Sequence, residues 1–226
     1  MLCRNWVEPG QWMNMANSAA SATNLEWFVR RLAPREADEA RARGGSPFAF
    51  AGEEVASVLD DDSRVLYLPF LYGSLDNPDA TGVFFGLRAW HTRGHLLRAL
   101  FEGVAFNHRT HVDALRDHFE VTEARLTGGG ARSQAWGQVF ADVLGLPVGV
   151  PDAAEAGALG VALCAAVAAG VYSSVAEGAD ATVRVARTFE PDPRRQEHLA
   201  GVYQRYLALV EALGPSWARA AGQEAT

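Results

Sequence analysis

The spacing of apolar residues changes along the chain, and each change predicts an element. Trp136, Val139, Phe140, Val143 and Leu144 fall at i, i+3, i+4, i+7 and i+8, one face of a helix over 133–144 with Ser133 at its N-cap. A longer stripe, Leu97, Leu100, Phe101, Val104, Ala105, His108, Val112 and Leu115, predicts a core helix. Near the end, Asp192 caps and Pro193 opens a helix striped by Leu199, Val202, Tyr203, Tyr206, Leu207, Val210 and Leu213. Gly214-Pro215 is expected to stop it, leaving a frayed tail over 216–226. Two further helices are expected, a short one from Leu25 that ends before Pro34 and one over 155–169 that ends at Gly170. The small residues of the second, Ala156, Gly157, Ala158, Gly160 and Ala162, permit close packing.

Strand patterns lie between these helices. Trp6-Val7 and Trp12-Met13 flank Pro9-Gly10 and read as two strands joined by a turn. Residues 65–73 form a buried-strand candidate made irregular by Pro69, and 121–126 and 146–151 read as short strands. The charged run 35–43 is read as a surface excursion, and Asp60-Asp61-Asp62 as solvated carboxylates.

The 226 residues are 49% hydrophobic and 21% charged, enough for a sizeable core. A net charge of -7 argues against a nucleic-acid partner, so any anionic ligand must be held locally by backbone amides and a few side chains. Cys3 and Cys164 give neither a disulfide framework nor a zinc spacing, which makes the cytoplasm the default location. No apolar run is long enough to span a membrane. His91 and His95 stand one helical turn apart, but neither a cysteine nor a His-Glu-x-x-His pattern accompanies them, and no zinc site is predicted.

The stretch richest in chemistry is Gly128-Gly129-Gly130, set between a predicted strand and a helix start. Such a turn lets the backbone approach a ligand with free N–H groups and the positive end of the helix dipole facing it, which suits a phosphate. The competing reading is a strand-to-helix turn whose glycines only relieve strain.

Four blocks in order resemble one family. Gly82-x-Phe84-x-Gly86-Leu87 followed by His95-Leu96-x-x-Ala99-Leu100-Phe101-Glu102 resembles the second signature of the FGGY carbohydrate kinases. Gly128-Gly129-Gly130-Ala131-Arg132-Ser133-x-x-Trp136-x-Gln138-x-x-Ala141-Asp142 is similar to their adenosine segment. Glu155-Ala156-Gly157-Ala158-Leu159-Gly160 resembles the helix start that follows, and Phe189-Glu190-Pro191 with Tyr203 and Tyr206 the closing helix. Residues 21–28 and 69–74 with Trp90-His91-Thr92 resemble the L-xylulose and pentulose kinase branch.

The resemblance implies an α/β, actin-like (ribonuclease-H-like) ATPase domain over 1–215, the C-terminal half of a two-domain sugar kinase. It further implies ATP with Mg²⁺ as cofactors and a sugar or polyol as substrate. Gly129 and Gly130 would approach the nucleotide phosphates, with Gly128 also among the nucleotide-binding residues; Ser133 would lie beside the adenine, and Asn107 would reach the base or ribose. The family's catalytic aspartate, most of its sugar contacts, its main metal ligands and the first strand of this domain precede the matched region, so no catalytic residue is assigned here. Thr81 stands where many members carry arginine. The expectation is a chain that binds ATP weakly or not at all alone and has no kinase activity. The alternatives are a non-catalytic module that binds nucleotide or a partner subunit, and a plain interaction domain. Neither the sugar nor the formation of a homo-oligomer is specified.

Overall fold

The computed structural model describes residues 2–153 and 155–222. The first strands, β1 (Leu2–Asn5) and β2 (Trp12–Met15), pair antiparallel across Pro9-Gly10 as expected. Three helices follow: α1 (Thr23–Leu32), α2 (Pro34–Ala42) and α3 (Ala49–Ala56). Helix α2 corrects the reading of 35–43 as an excursion. Pro34 starts it, Arg35–Glu39 and Arg41–Asp38 pair along its exposed face, and Ala37 is buried beneath.

The core is built on β3 (Leu66–Leu68), buried throughout and antiparallel to β4 (Val83–Phe85). Helix α4 (Arg93–Arg116) lies across β3 with Leu97, Leu100, Phe101 and Val104 inward. Gly103 makes this approach possible, since a Cβ there would stand 2.1 Å from the Tyr67 carbonyl oxygen. Arg98 pairs with Glu102 at 2.7 Å inside the protein and donates to the carbonyls of Val58 and Asp61, which pins the turn after α3 to α4. Asp60 and Asp62 are solvated as expected, while Asp61 accepts from His95 Nε2 at 3.0 Å. The His95 tautomer follows from its Nδ1, which accepts the Thr92 amide.

The second half forms a three-stranded sheet, β5 (Ala124–Arg125), β6 (Val148–Pro151) and β7 (Val185–Phe189), in that spatial order. Strands β5 and β6 are parallel and joined through α5 (Gln134–Leu144), while β7 returns antiparallel to β6. The expected strand over 121–126 is cut to two residues, because β6 is its only neighbour in the sheet. Helix α5 packs on α4, where Trp136 stacks on Phe101 at 4.7 Å and donates its Nε1 proton to the Phe101 carbonyl.

Helices α6 (Ala156–Ala168) and α7 (Val175–Thr182) precede β7, and α8 (Pro193–Ala220) closes the chain. Asp192 caps α8 through the amides of Arg194 and Arg195. Gly214-Pro215 do not end this helix, and the expected frayed tail from Ser216 is corrected as far as Ala220; residues 223–226 lie outside the described residues. A proline inside a helix costs about 3 kcal/mol. Here the turn beyond it is held by Trp217, buried edge-on against Phe70 at 5.9 Å.

Candidate functional site

After β5 the backbone turns at Gly128, whose φ of 84° puts it in the left-handed region. A single 3-10 turn over Gly129–Arg132 comes next, so the glycines do not run straight into the helix. Ser133 is extended and caps α5, its Oγ accepting the Trp136 amide at 3.3 Å. Its hydroxyl proton stays free to donate, and Gly52 of α3 lies alongside it, with a Cβ there 3.6 Å from Ser133 Oγ.

Within this turn the Ala131 amide donates to the Gly128 carbonyl and the Ser133 amide to the Gly130 carbonyl. The amides of Gly128, Gly129 and Gly130 find no protein acceptor among the described residues. Gly128 and Gly129 have no atom within 4 Å of where a side chain would start, and Gly130 rests on the Trp136 ring. These consecutive donors therefore open to solvent ahead of a capped helix, whose dipole adds positive potential. Arg132, in the same turn, is exposed. The sequence reading gave it no role, although it stood within the motif.

The structure thus brings Gly128, Gly129, Gly130 and Ser133 together. Asn107 is not part of that group. Its Nδ2 donates to Ser18 Oγ at 2.8 Å, and it lines a cavity that has no lining residue in common with the glycine turn. Asp142 is structural, buried and accepting from Gln138 and from the Asp192 amide at 2.8 Å each, which ties the start of α8 to α5. Burial pushes its carboxyl above the usual range. Sequence reasoning missed Asn24, which is fully buried, donates to the Ser21 carbonyl and accepts from the Tyr67 hydroxyl. His108, read from the sequence only as part of the core-helix stripe, is held by Ser21 Oγ at 2.8 Å, its pKa lowered to about 4 by burial and by His111.

Among the described residues no group of three or more His, Cys, Asp or Glu side chains is placed to hold a metal ion. No described helix is long and apolar enough to cross a membrane.

Residues 3–169 match the FGGY family of carbohydrate kinases, C-terminal domain. The chain belongs to this family. It is 37% identical over 209 residues to the L-xylulose/3-keto-L-gulonate kinase of Escherichia coli (strain K12), covering 92% of this chain and 40% of that protein. It is also 34% identical over 155 residues to the gluconokinase of Bacillus subtilis (strain 168), covering 66% of this chain and 30% of that one. Among solved structures, xylulose kinase from Rhodospirillum rubrum superposes with a TM-score of 0.77 at 35% identity, over 88% of this chain and 39% of its own. A Plasmodium falciparum glycerol kinase at 18% identity and TM-score 0.65 shares the fold. The fold is accordingly the actin-like ATPase fold of FGGY kinases. This FGGY chain spans about two fifths of the length of the L-xylulose kinases it matches.

Proposed function

We propose that this chain is the nucleotide-binding half of an ATP-dependent kinase that phosphorylates a hydroxyl of a pentulose-type sugar. The observation that carries the reading is the run of three glycine amides without protein acceptors, open to solvent ahead of the Ser133-capped helix α5. A triphosphate tail takes such donors well, because backbone N–H groups held by the fold need no reorganisation to meet its charge. Arg132 adds a delocalised cation in the same turn, suited to phosphate oxygens. The Ser133 hydroxyl is free to donate to the base or ribose. Asn107 lines a separate cavity instead.

The sugar class follows the relatives, whose names include L-xylulose kinases. We assign the proton acceptor, the sugar contacts and the metal ligands to a second domain, and expect the chain alone to bind ATP weakly and to turn over no sugar. Cys3 and Cys164 are free thiols, which fits the cytoplasm.

Gly129→Val tests the reading. Space around Gly129 is empty and its φ is not positive, so valine folds but stands where phosphate would lie. The expected result is at least a tenfold loss of ATP affinity by calorimetric titration, on the order of 1.4 kcal/mol, with an unchanged melting temperature. Equal ATP affinity in both proteins refutes the phosphate assignment. Phosphorylation of L-xylulose by the purified chain refutes the division of labour.

A further inference from the structure

His108 and His111, on one face of α4, each meet a serine from the segment between β2 and α1. Ser21 Oγ stands 2.8 Å from His108 Nε2, and Ser18 Oγ stands 2.7 Å from His111 Nε2. A hydroxyl in hydrogen-bond contact with a neutral imidazole is the pairing from which an activated nucleophile is made, because the ring takes the proton as the oxygen attacks. Surroundings tell the two pairs apart. Ser18 and His111, both half-buried, line a cavity of about 180 Å³ between residues 17–20, the loop 69–80, α4 and the far end of α8. Neither Ser21 nor His108 lines it.

The groups around Ser18 suit attack on a carbonyl. Asn107 Nδ2 donates to Ser18 Oγ at 2.8 Å, and a donor on that oxygen favours the charge it acquires on losing its proton. Asp76, exposed at the rim, lies near enough to His111 to oppose the lowering of its pKa by burial, so its carboxylate also favours the imidazolium that proton transfer creates. The amides of Ser18 and Ala19 find no protein acceptor among the described residues, which leaves two backbone donors beside the nucleophile for a developing oxyanion. Leu75, Leu207 and Val210 give the cavity apolar lining that keeps exposed surface. Its volume slightly exceeds that of engineered cavities that admit benzene, enough for a short acyl chain.

We propose that Ser18 is a nucleophile activated by His111, and that the pair hydrolyses short-chain carboxylic esters held in this cavity. Ser18 Oγ bonds to the carbonyl carbon while its proton passes to His111 Nε2. The carbon–oxygen bond to the leaving alcohol breaks, and that oxygen takes the proton from His111. Water, losing a proton to His111, then attacks the acyl-serine; the carboxylic acid leaves and Ser18 regains its proton. The site shares no residue with the glycine turn and does not depend on the nucleotide reading.

The test treats the full chain with diisopropyl fluorophosphate, whose phosphorus bonds to an activated serine oxygen with loss of fluoride, and locates the adduct by fragment-ion mass spectrometry. One adduct is expected, on Ser18, with Ser21 unlabelled. Hydrolysis of p-nitrophenyl acetate should proceed above the buffer rate and fall at least about tenfold in Ser18→Ala and in His111→Gln, the lower part of what a positioned base supplies. Ser21→Ala should leave that rate unchanged. The proposal is overturned by no adduct, by an adduct on Ser21 or elsewhere in place of Ser18, or by a Ser18→Ala rate equal to the parent's. Labelling is read on the unsubstituted protein, so a variant that fails to fold does not shelter the proposal.

Discussion

Gly103 is where α4 comes nearest to β3, and Gly103→Ala turns that contact into a measurable quantity. The added Cβ would lie 2.1 Å from the Tyr67 carbonyl oxygen, 3.0 Å from its carbon and 3.2 Å from the Tyr67 Cβ. Two of these atoms are backbone, so no rotamer change relieves the clash, and helix and strand must part by roughly an ångström to reach normal contact. Parting them loosens Leu68, Leu100 and Val104, all buried. Overpacking of a core costs about 1–3 kcal/mol, and a rigid backbone clash sits at or above the top of that range. Alanine returns about 1 kcal/mol of helix propensity. The net expectation is a loss of about 2–3 kcal/mol. With a urea slope of about 2 kcal/mol/M, the unfolding midpoint should fall by about 1–1.5 M, read by circular dichroism. Gly201→Ala in α8 is the control: nothing lies within 4 Å of its Cβ position, so propensity alone acts and the midpoint should rise slightly. A midpoint for Gly103→Ala at or above the parent's would refute the close approach.

Two other outcomes follow from the same packing. His108 is held neutral by burial, with its folded pKa near 4 against an ordinary value of 6.5. The unfolded chain therefore binds the extra proton first as pH falls. Stability is full above about pH 6.5, declines toward pH 4 by no more than about 3 kcal/mol, and then levels off. His111 is shifted the same way. Urea midpoints at pH 7.5 and 5 check this, and His108→Gln should flatten most of the difference; an unchanged pH dependence would mean the imidazole is not desolvated. Trp217→Ala, at a side chain only 6% exposed, should cost about 3 kcal/mol. A melting temperature within a degree of the parent's would show that the last turns of α8 are not docked.

Where local chemistry decides structure, the sequence was readable. Ser133 before α5 and Asp192-Pro193 before α8 act on their own helix termini, and both stand where the pattern put them. The end of α8 was misread because Gly214-Pro215 is a local stop signal overruled by a distant contact, Trp217 on Phe70. Helix α7 carried a usable sign, Ser174 followed three residues on by Glu177, whose amide Ser174 indeed accepts. It lies in a stretch whose apolar spacing favoured neither period. Strand β7, Val-Ala-Arg-Thr-Phe, shows no apolar alternation and depends on β6 for its partner. At the site, the glycine turn and its capped helix were visible as neighbours in sequence. Asn107 was not placeable that way, because its environment is made by Ser18 and by α8, and only tertiary structure brings these together.

The glycines also bear on whether the turn over 128–130 merely relieves strain. A glycine kept for packing has a neighbour where its Cβ would stand: at Gly137 the Phe189 ring lies 2.3 Å from that point, and at Gly103 the obstacle is Tyr67. A glycine kept for backbone freedom has positive φ, as Gly128 and Gly145 do. Gly130 fits neither class, with the Trp136 ring at an ordinary 3.4 Å, and Gly129 meets nothing at all at negative φ. Strain relief therefore accounts for Gly128 alone. At Gly129 the fold would accept a side chain, and helix propensity over the following residues would gain from one. The bare backbone there is what the proposed phosphate role needs, since it lets a ligand approach the amides closely. For this reason Gly129→Val, rather than a change at Gly128, is the substitution that separates a ligand site from a turn.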